Sequence, residues 1–161
     1  MSEFRFRLPC ADFSKATAEQ DTEGRMFVTI RASDTLPDRS KGTDWMAERV
    51  TKNFIRKMQD QANGKMGKDI LLNSVHGESI GFGKAVQSIS SRDDELVVKF
   101  ELDGEFPESK KLFKEVQDGQ CRKQASIGGV TTRAYRQFDK DVGGIVKYLD
   151  DGLLDEITVC H

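Results

Sequence analysis

The sequence is poor in the features that announce most function classes. Of 161 residues, two are histidine, three are cysteine and one is tryptophan. Cys10, Cys121 and Cys160 form an odd set without Cys-x-x-Cys spacing. That argues against a disulfide frame or a zinc site and for a reducing compartment, the cytoplasm. No apolar run approaches the roughly 18 residues of a membrane span. Met1 to Arg7 alternates charge with aromatic and lacks the apolar stretch of a secretory signal. Neither sign of charge dominates: 25 Lys and Arg stand against 27 Asp and Glu, for a net charge of −2. No block of about five or six like charges occurs, so neither nucleic acid nor membrane is an expected partner.

What is present fits one domain spanning residues 1–161. Apolar residues make up 37% and charged residues 32%, and a chain of this length buries roughly 70% of its unfolded surface. Residues 4–8 alternate as a half-buried strand, and the polar stretch from Pro9 to Gly24 reads as loop. Phe27 to Ala32 is a β-branched strand, and Asp34 to Gly42 reads as loop. Met46, Val50, Phe54 and Met58, widened by Ala47 and Ile55, recur at helical spacing. They predict a helix from Thr43 or Asp44 to Asn63-Gly64, with its apolar face docked on a sheet.

Residues 80–89 and 95–103 predict a strand pair around Ser90 to Asp94. Pro107 suits the first turn of a second helix whose buried face is Leu112, Phe113 and Val116, with Gly119 as its C-terminal cap. Residues 124–136, Ile145 to Leu149 and Leu153 to Cys160 read as strands, with turns at Phe138 to Gly144 and Asp150-Asp151-Gly152. The expected class is α+β: an antiparallel β-barrel or strongly curled sheet with two inserted helices.

Chemistry centres on His76, which lies between the apolar Leu71-Leu72 and the glycines of Gly81-Phe82-Gly83-Lys84. Its side chain alone changes charge near neutral pH unperturbed. The glycines do not make a P-loop, because Glu78 and Ala85 occupy positions that need Gly and Ser or Thr. They read as strand features, and no cofactor is expected. No second ligand pattern accompanies His76, so no metal is expected either.

A serine needs a base, and the base an orienting group. Ser126, in Ala125-Ser126-Ile127-Gly128-Gly129, has small neighbours that leave a substrate room. Glu156 interrupts an apolar strand, where a carboxylate needs a partner. Asp155 and His161 stand as alternatives to Glu156. Strict alternation places them on one face with Ile157 and Val159, and Glu156 on the other with Thr158 and Cys160. Cys121, in a basic Cys-Arg-Lys setting, and Cys160 are the alternative nucleophiles.

Three segments together resemble the tailed-phage prohead (capsid-maturation) serine proteases. They are Asn73-Ser74-Val75-His76 with Ser79 to Lys84, Asp118-Gly119 with Ala125 to Gly128, and Leu153 to Val159. That family is related in fold to the herpesvirus assemblins, and the match puts Glu156 where the assemblins carry their second histidine. The resemblance implies a serine endopeptidase that cleaves scaffold and major capsid proteins, and itself, during procapsid maturation. It implies His76, Ser126 and Glu156 as the catalytic set, with Gly128-Gly129 available for the oxyanion. It also implies action inside the assembling procapsid in the host cytoplasm, with homo-oligomerisation open. A non-catalytic capsid-assembly or scaffold module of the same fold is the alternative.

Overall fold

A computed structural model describes residues 4–12, 16–37, 47–74, 81–121 and 124–160. Its strands are β1 (Phe4–Asp12), β2 (Thr17–Gln20), β3 (Met26–Asp34), β4 (Ala47–Val50), β5 (Leu71–Asn73), β6 (Gly83–Ser88), β7 (Glu95–Leu102), β8 (Gln124–Asp139) and β9 (Gly144–Cys160). The helices are α1 (Lys52–Ala62) and α2 (Pro107–Gln117). The class is α+β, as expected. The strands join in the order β1-β8-β9-β5-β6-β7-β3-β2, and β4 pairs with β9 beside this path.

The sheet is not a closed antiparallel barrel. Its order is open, with β1 and β2 at the ends, and both β4 and β5 run parallel to β9. Curl is nonetheless strong, since β1 also approaches β3, far from it in strand order. β7 alternates half-buried and buried residues, and its buried Leu96, Val98 and Phe100 meet Val28, Ile30, Ile127 and Ile157 in one core.

Four expectations need correction. β1 runs past Leu8 to Asp12, and the stretch read as loop also holds β2. Both are edge strands, where Pro9 is tolerated.

The apolar stripe from Ala47 to Met58 is not one helix, and Thr43, Asp44 and Met46 lie outside the described residues. Ala47 and Val50 belong to β4, and α1 begins only after Thr51, whose hydroxyl accepts from Phe54 N–H at 3.2 Å. A four-residue strand followed by a helix reproduces the spacing by coincidence, and the N-cap decides the boundary. Phe54, Ile55 and Met58 are buried where α1 packs on β9, β7 and β6. α2 keeps its expected start at Pro107 and its buried Leu112, Phe113 and Val116.

The tight turn placed at 150–152 does not exist. β9 passes through it as one strand of 17 residues, laddered to β8 with irregular register between Thr131 and Ala134. Gly152 is what fits there, because a Cβ on it would lie 2.1 Å from Val130 O.

The turn between β8 and β9 is shorter than expected, since β8 runs to Asp139 and β9 starts at Gly144.

Candidate functional site

β9 is the strand on which the site is built. One edge pairs with β8 along its whole length. The other is shared between three partners: β4 at Val146–Leu149, α1 side chains over 150–154, and β5 at Glu156–Thr158. Asn53 Nδ2 donates to Asp150 O at 3.0 Å, and Lys57 pairs with Asp151 at 2.6 Å. Gln61 then stands in for a strand neighbour. Its Nε2 donates to Leu154 O at 2.7 Å and its Oε1 accepts from Leu154 N–H at 2.9 Å.

Directly beyond lies a bulge. Gly128 opposes Glu156 and Gly129 opposes Leu154, so Asp155 is the extra residue. A Cβ on Gly129 would sit 2.2 Å from Leu153 O, so only glycine allows this close passage. The extra residue reverses the alternation of β9. Leu154 faces the core on one side of the bulge, and Ile157 and Val159 do so on the other. Glu156 is thereby turned to the opposite face. Strict alternation had put Leu154 on the same side as Glu156.

The register then assembles a polar group. Ser126 on β8 opposes Thr158 on β9, and Thr158 opposes Asn73 on β5. Opposed residues share a face, as do residues two apart on one strand. Ser126, Thr158, Glu156 and Asn73 therefore lie together on the side away from Ile127, Ile157 and Leu72. All four are at least 95% buried. Asn73 Nδ2 donates to Glu156 Oε2 at 2.6 Å, fixing the carboxylate across the β5–β9 ladder.

Ser126 and Glu156 are diagonal neighbours across the β8–β9 ladder, a relation that keeps long side chains within reach of a shared partner.

Of the residues singled out from sequence, Ser126 and Glu156 are thus brought together. Asp155 is not part of the group: it pairs with Lys68 at 2.5 Å, at the bulge. His76 and His161 lie outside the described residues. The described chain on either side of His76 borders the group: Ser74 follows Asn73, and a Cβ on Gly81 would lie 2.8 Å from Asn73 Oδ1. Gly128 and Gly129 pair with Arg7 and Phe6 of β1 and with β9, so their peptide groups lie in the sheet plane rather than facing out beside Ser126. Cys121 is half-buried just after α2, and Cys160 ends β9 opposite Gln124. Sequence reasoning missed Asn73, Thr158 and Gln61 as site-building residues. The signal available was a polar residue closing the apolar Leu71-Leu72 run.

A second polar cluster lies at the far end of the β8–β9 hairpin. Asp139 accepts from Tyr148 Oη at 2.6 Å and from Arg49 Nη1 at 2.5 Å. The Tyr148 bond, with Arg49 and the N–H groups of Val142 and Asp141, outweighs burial and holds the Asp139 carboxyl down at about 2. Tyr148 stacks on Tyr135 at 5.1 Å. This cluster locks the hairpin end to β4.

No protein-family model matches the chain, and no curated protein matches it by sequence. Among solved structures it is similar to the bacteriophage T4 capsid assembly protease, gp21, at 9% sequence identity. The likeness covers 100% of this chain and 99% of that one, with a TM-score of 0.63, so the two share a fold.

Proposed function

We propose that the chain is a serine endopeptidase of the prohead-protease type, acting on scaffold and major capsid proteins, and on itself, within the assembling procapsid. In this reading Ser126 Oγ attacks the scissile carbonyl carbon while His76 removes the hydroxyl proton. The C–N bond then breaks, His76 returns the proton to the departing amine, and water releases the acyl group by the same route in reverse. Glu156 orients the His76 imidazole and stabilises its charged form, and Asn73 holds Glu156 in place.

The observation that carries this reading is the diagonal placement of Ser126 and Glu156 on one buried polar face, next to the strand that leads to His76. A buried carboxylate needs hydrogen-bond partners; Asn73 supplies one to Glu156 at 2.6 Å, and in this reading the imidazole is another. The shared fold with the T4 capsid assembly protease supports the substrate class and the setting.

The test is a cleavage assay on a scaffold-like protein with the unaltered chain, Ser126→Ala and His76→Ala. Loss of cleavage by about 10³-fold or more in both variants is expected. Full activity in either one removes its residue from the mechanism. A folded chain that cuts nothing, itself included, would instead point to the non-catalytic assembly module.

A further inference from the structure

A groove of about 810 Å³ runs across the sheet beside the candidate site, lined by residues that adjoin the polar group rather than by its members. Its near end is Leu71 and Gly81. Leu71 is the direct ladder neighbour of Glu156, and Gly81 packs against Asn73. The register continues this face strand by strand, from Glu156 to Leu71, Lys84 and Glu101. The far end is the turn before β3, at Glu23 to Met26, together with Asp103 and Gly104. Leu71 and Gly81 thus border both the buried polar group and the groove.

We infer that this groove seats an extended segment of the substrate, taking an apolar side chain next to the scissile bond and basic side chains further along. The inference rests on reading Ser126 as the nucleophile. Its volume lies in the range of binding clefts rather than of surface dimples. Its apolar lining is Leu71 at the near end, then Val86, 41% exposed with nothing in the fold to cover it among the described residues, while Met26 and its buried ladder partner Leu102 lie at the far end.

The charge on the lining decides the second part. Glu23, Glu101 and Asp103 stand against Arg25 and Lys84. Both cations also face acids outside the groove: Arg25 lies 2.7 Å from Asp21, and Lys84 lies 3.9 Å from Asp69. The lining and these two ion-pair partners together carry five carboxylates against two cations, and the adjoining Lys99–Glu19 pair over Phe27 adds one charge of each sign. Such a cleft concentrates cationic chains and repels anionic ones.

The test uses two fluorescein-labelled unstructured peptides, identical except that lysines or glutamates follow a central leucine. Binding is read by anisotropy on the Ser126→Ala chain, and cleavage on the unaltered one. The lysine peptide is expected to bind roughly tenfold tighter at low salt, with the margin shrinking as salt screens it. Glu101→Lys and the well-exposed Glu23→Lys are each expected to cut that margin by several-fold. Equal binding of the two peptides, or a margin unmoved by both variants, overturns the inference. Binding and cleavage separate the two claims. A lysine preference that depends on Glu101, without cleavage, supports the groove and sinks the nucleophile. Cleavage that depends on Ser126 and ignores both variants does the reverse.

Discussion

Asn73 and Glu156 stand 83 residues apart in sequence and share a 2.6 Å hydrogen bond in a buried setting. The bond ties the strand leading to His76 to the strand carrying the acid. A hydrogen bond to a charged group contributes about 1.5–3 kcal/mol. Asn73→Ala is therefore expected to lower stability by about that much in urea unfolding. Asn73→Asp sets one carboxylate against another, so its deficit is expected to exceed that of the alanine variant at neutral pH. Equal stability of Asn73→Asp and Asn73→Ala at neutral pH would show that the two side chains do not meet.

The bulge at Asp155 depends on Gly129. Gly129→Ala drives a Cβ into Leu153 O and is expected to cost more than about 2 kcal/mol. Gly143→Ala is the useful contrast. Its φ of +77° strains any other residue, but it has open space around it, so about 1–2 kcal/mol is expected. Urea midpoints of the two variants compare them directly. If Gly129→Ala is the milder change, β9 does not cross β8 as described.

Thr51 marks where α1 begins. Its hydroxyl accepts from Phe54 N–H at 3.2 Å and donates to Asp150 Oδ1 at 2.7 Å. Thr51→Ala is expected to cost about 1 kcal/mol through the cap, and somewhat more through the lost Asp150 bond. The midpoint should fall while the denaturant slope stays constant.

Asp139 predicts part of the acid limb of stability. Its carboxyl drops from an ordinary 3.8 to about 2 in the fold, because Tyr148 and Arg49 hydrogen-bond the charged form. A lowered folded value stabilises the fold above the unfolded value. That contribution is lost as pH falls from near 4 toward about 2. Arg49 stays charged throughout, and Asp141, on the same Arg49 nitrogen at 3.3 Å, is the other acid in the cluster. Asp139→Asn is expected to be less stable at neutral pH and to lose less stability between about pH 4 and pH 2. Parallel curves for the two proteins would assign the acid limb elsewhere.

Elements whose signal is local were legible in the sequence. Pro107 opens α2 as its fixed φ dictates, and β3, β6 and β7 follow from β-branched, alternating or glycine-flanked runs. Ser126 could be picked out by its small neighbours, and Glu156 as an acid inside an apolar strand. Hidden features were those set by distant contacts. Ala47 and Val50 join a strand because β9 is there to receive them, and the helical spacing with Phe54 carries no trace of it. The passage of β9 through Asp150-Asp151-Gly152 likewise depends on β8 lying alongside, not on turn chemistry. Alternation of two already put Glu156 with Thr158 and away from Ile157; what it could not reveal is the inserted Asp155, which puts Leu154 on the face opposite Glu156. Asn73 gained its part only from a parallel pairing between β5 and β9.

Ser126 as an activated nucleophile is open to direct chemical measurement. The intact chain is treated with a fluorophosphonate, digested, and the modified peptide located by mass spectrometry. Adduct is expected on Ser126 of the unaltered chain, absent from Ser126→Ala and at least tenfold slower to form in His76→Ala, since the hydroxyl is a weak nucleophile without its base. A folded chain that leaves Ser126 unmodified, or that modifies it equally fast without His76, contradicts the assignment.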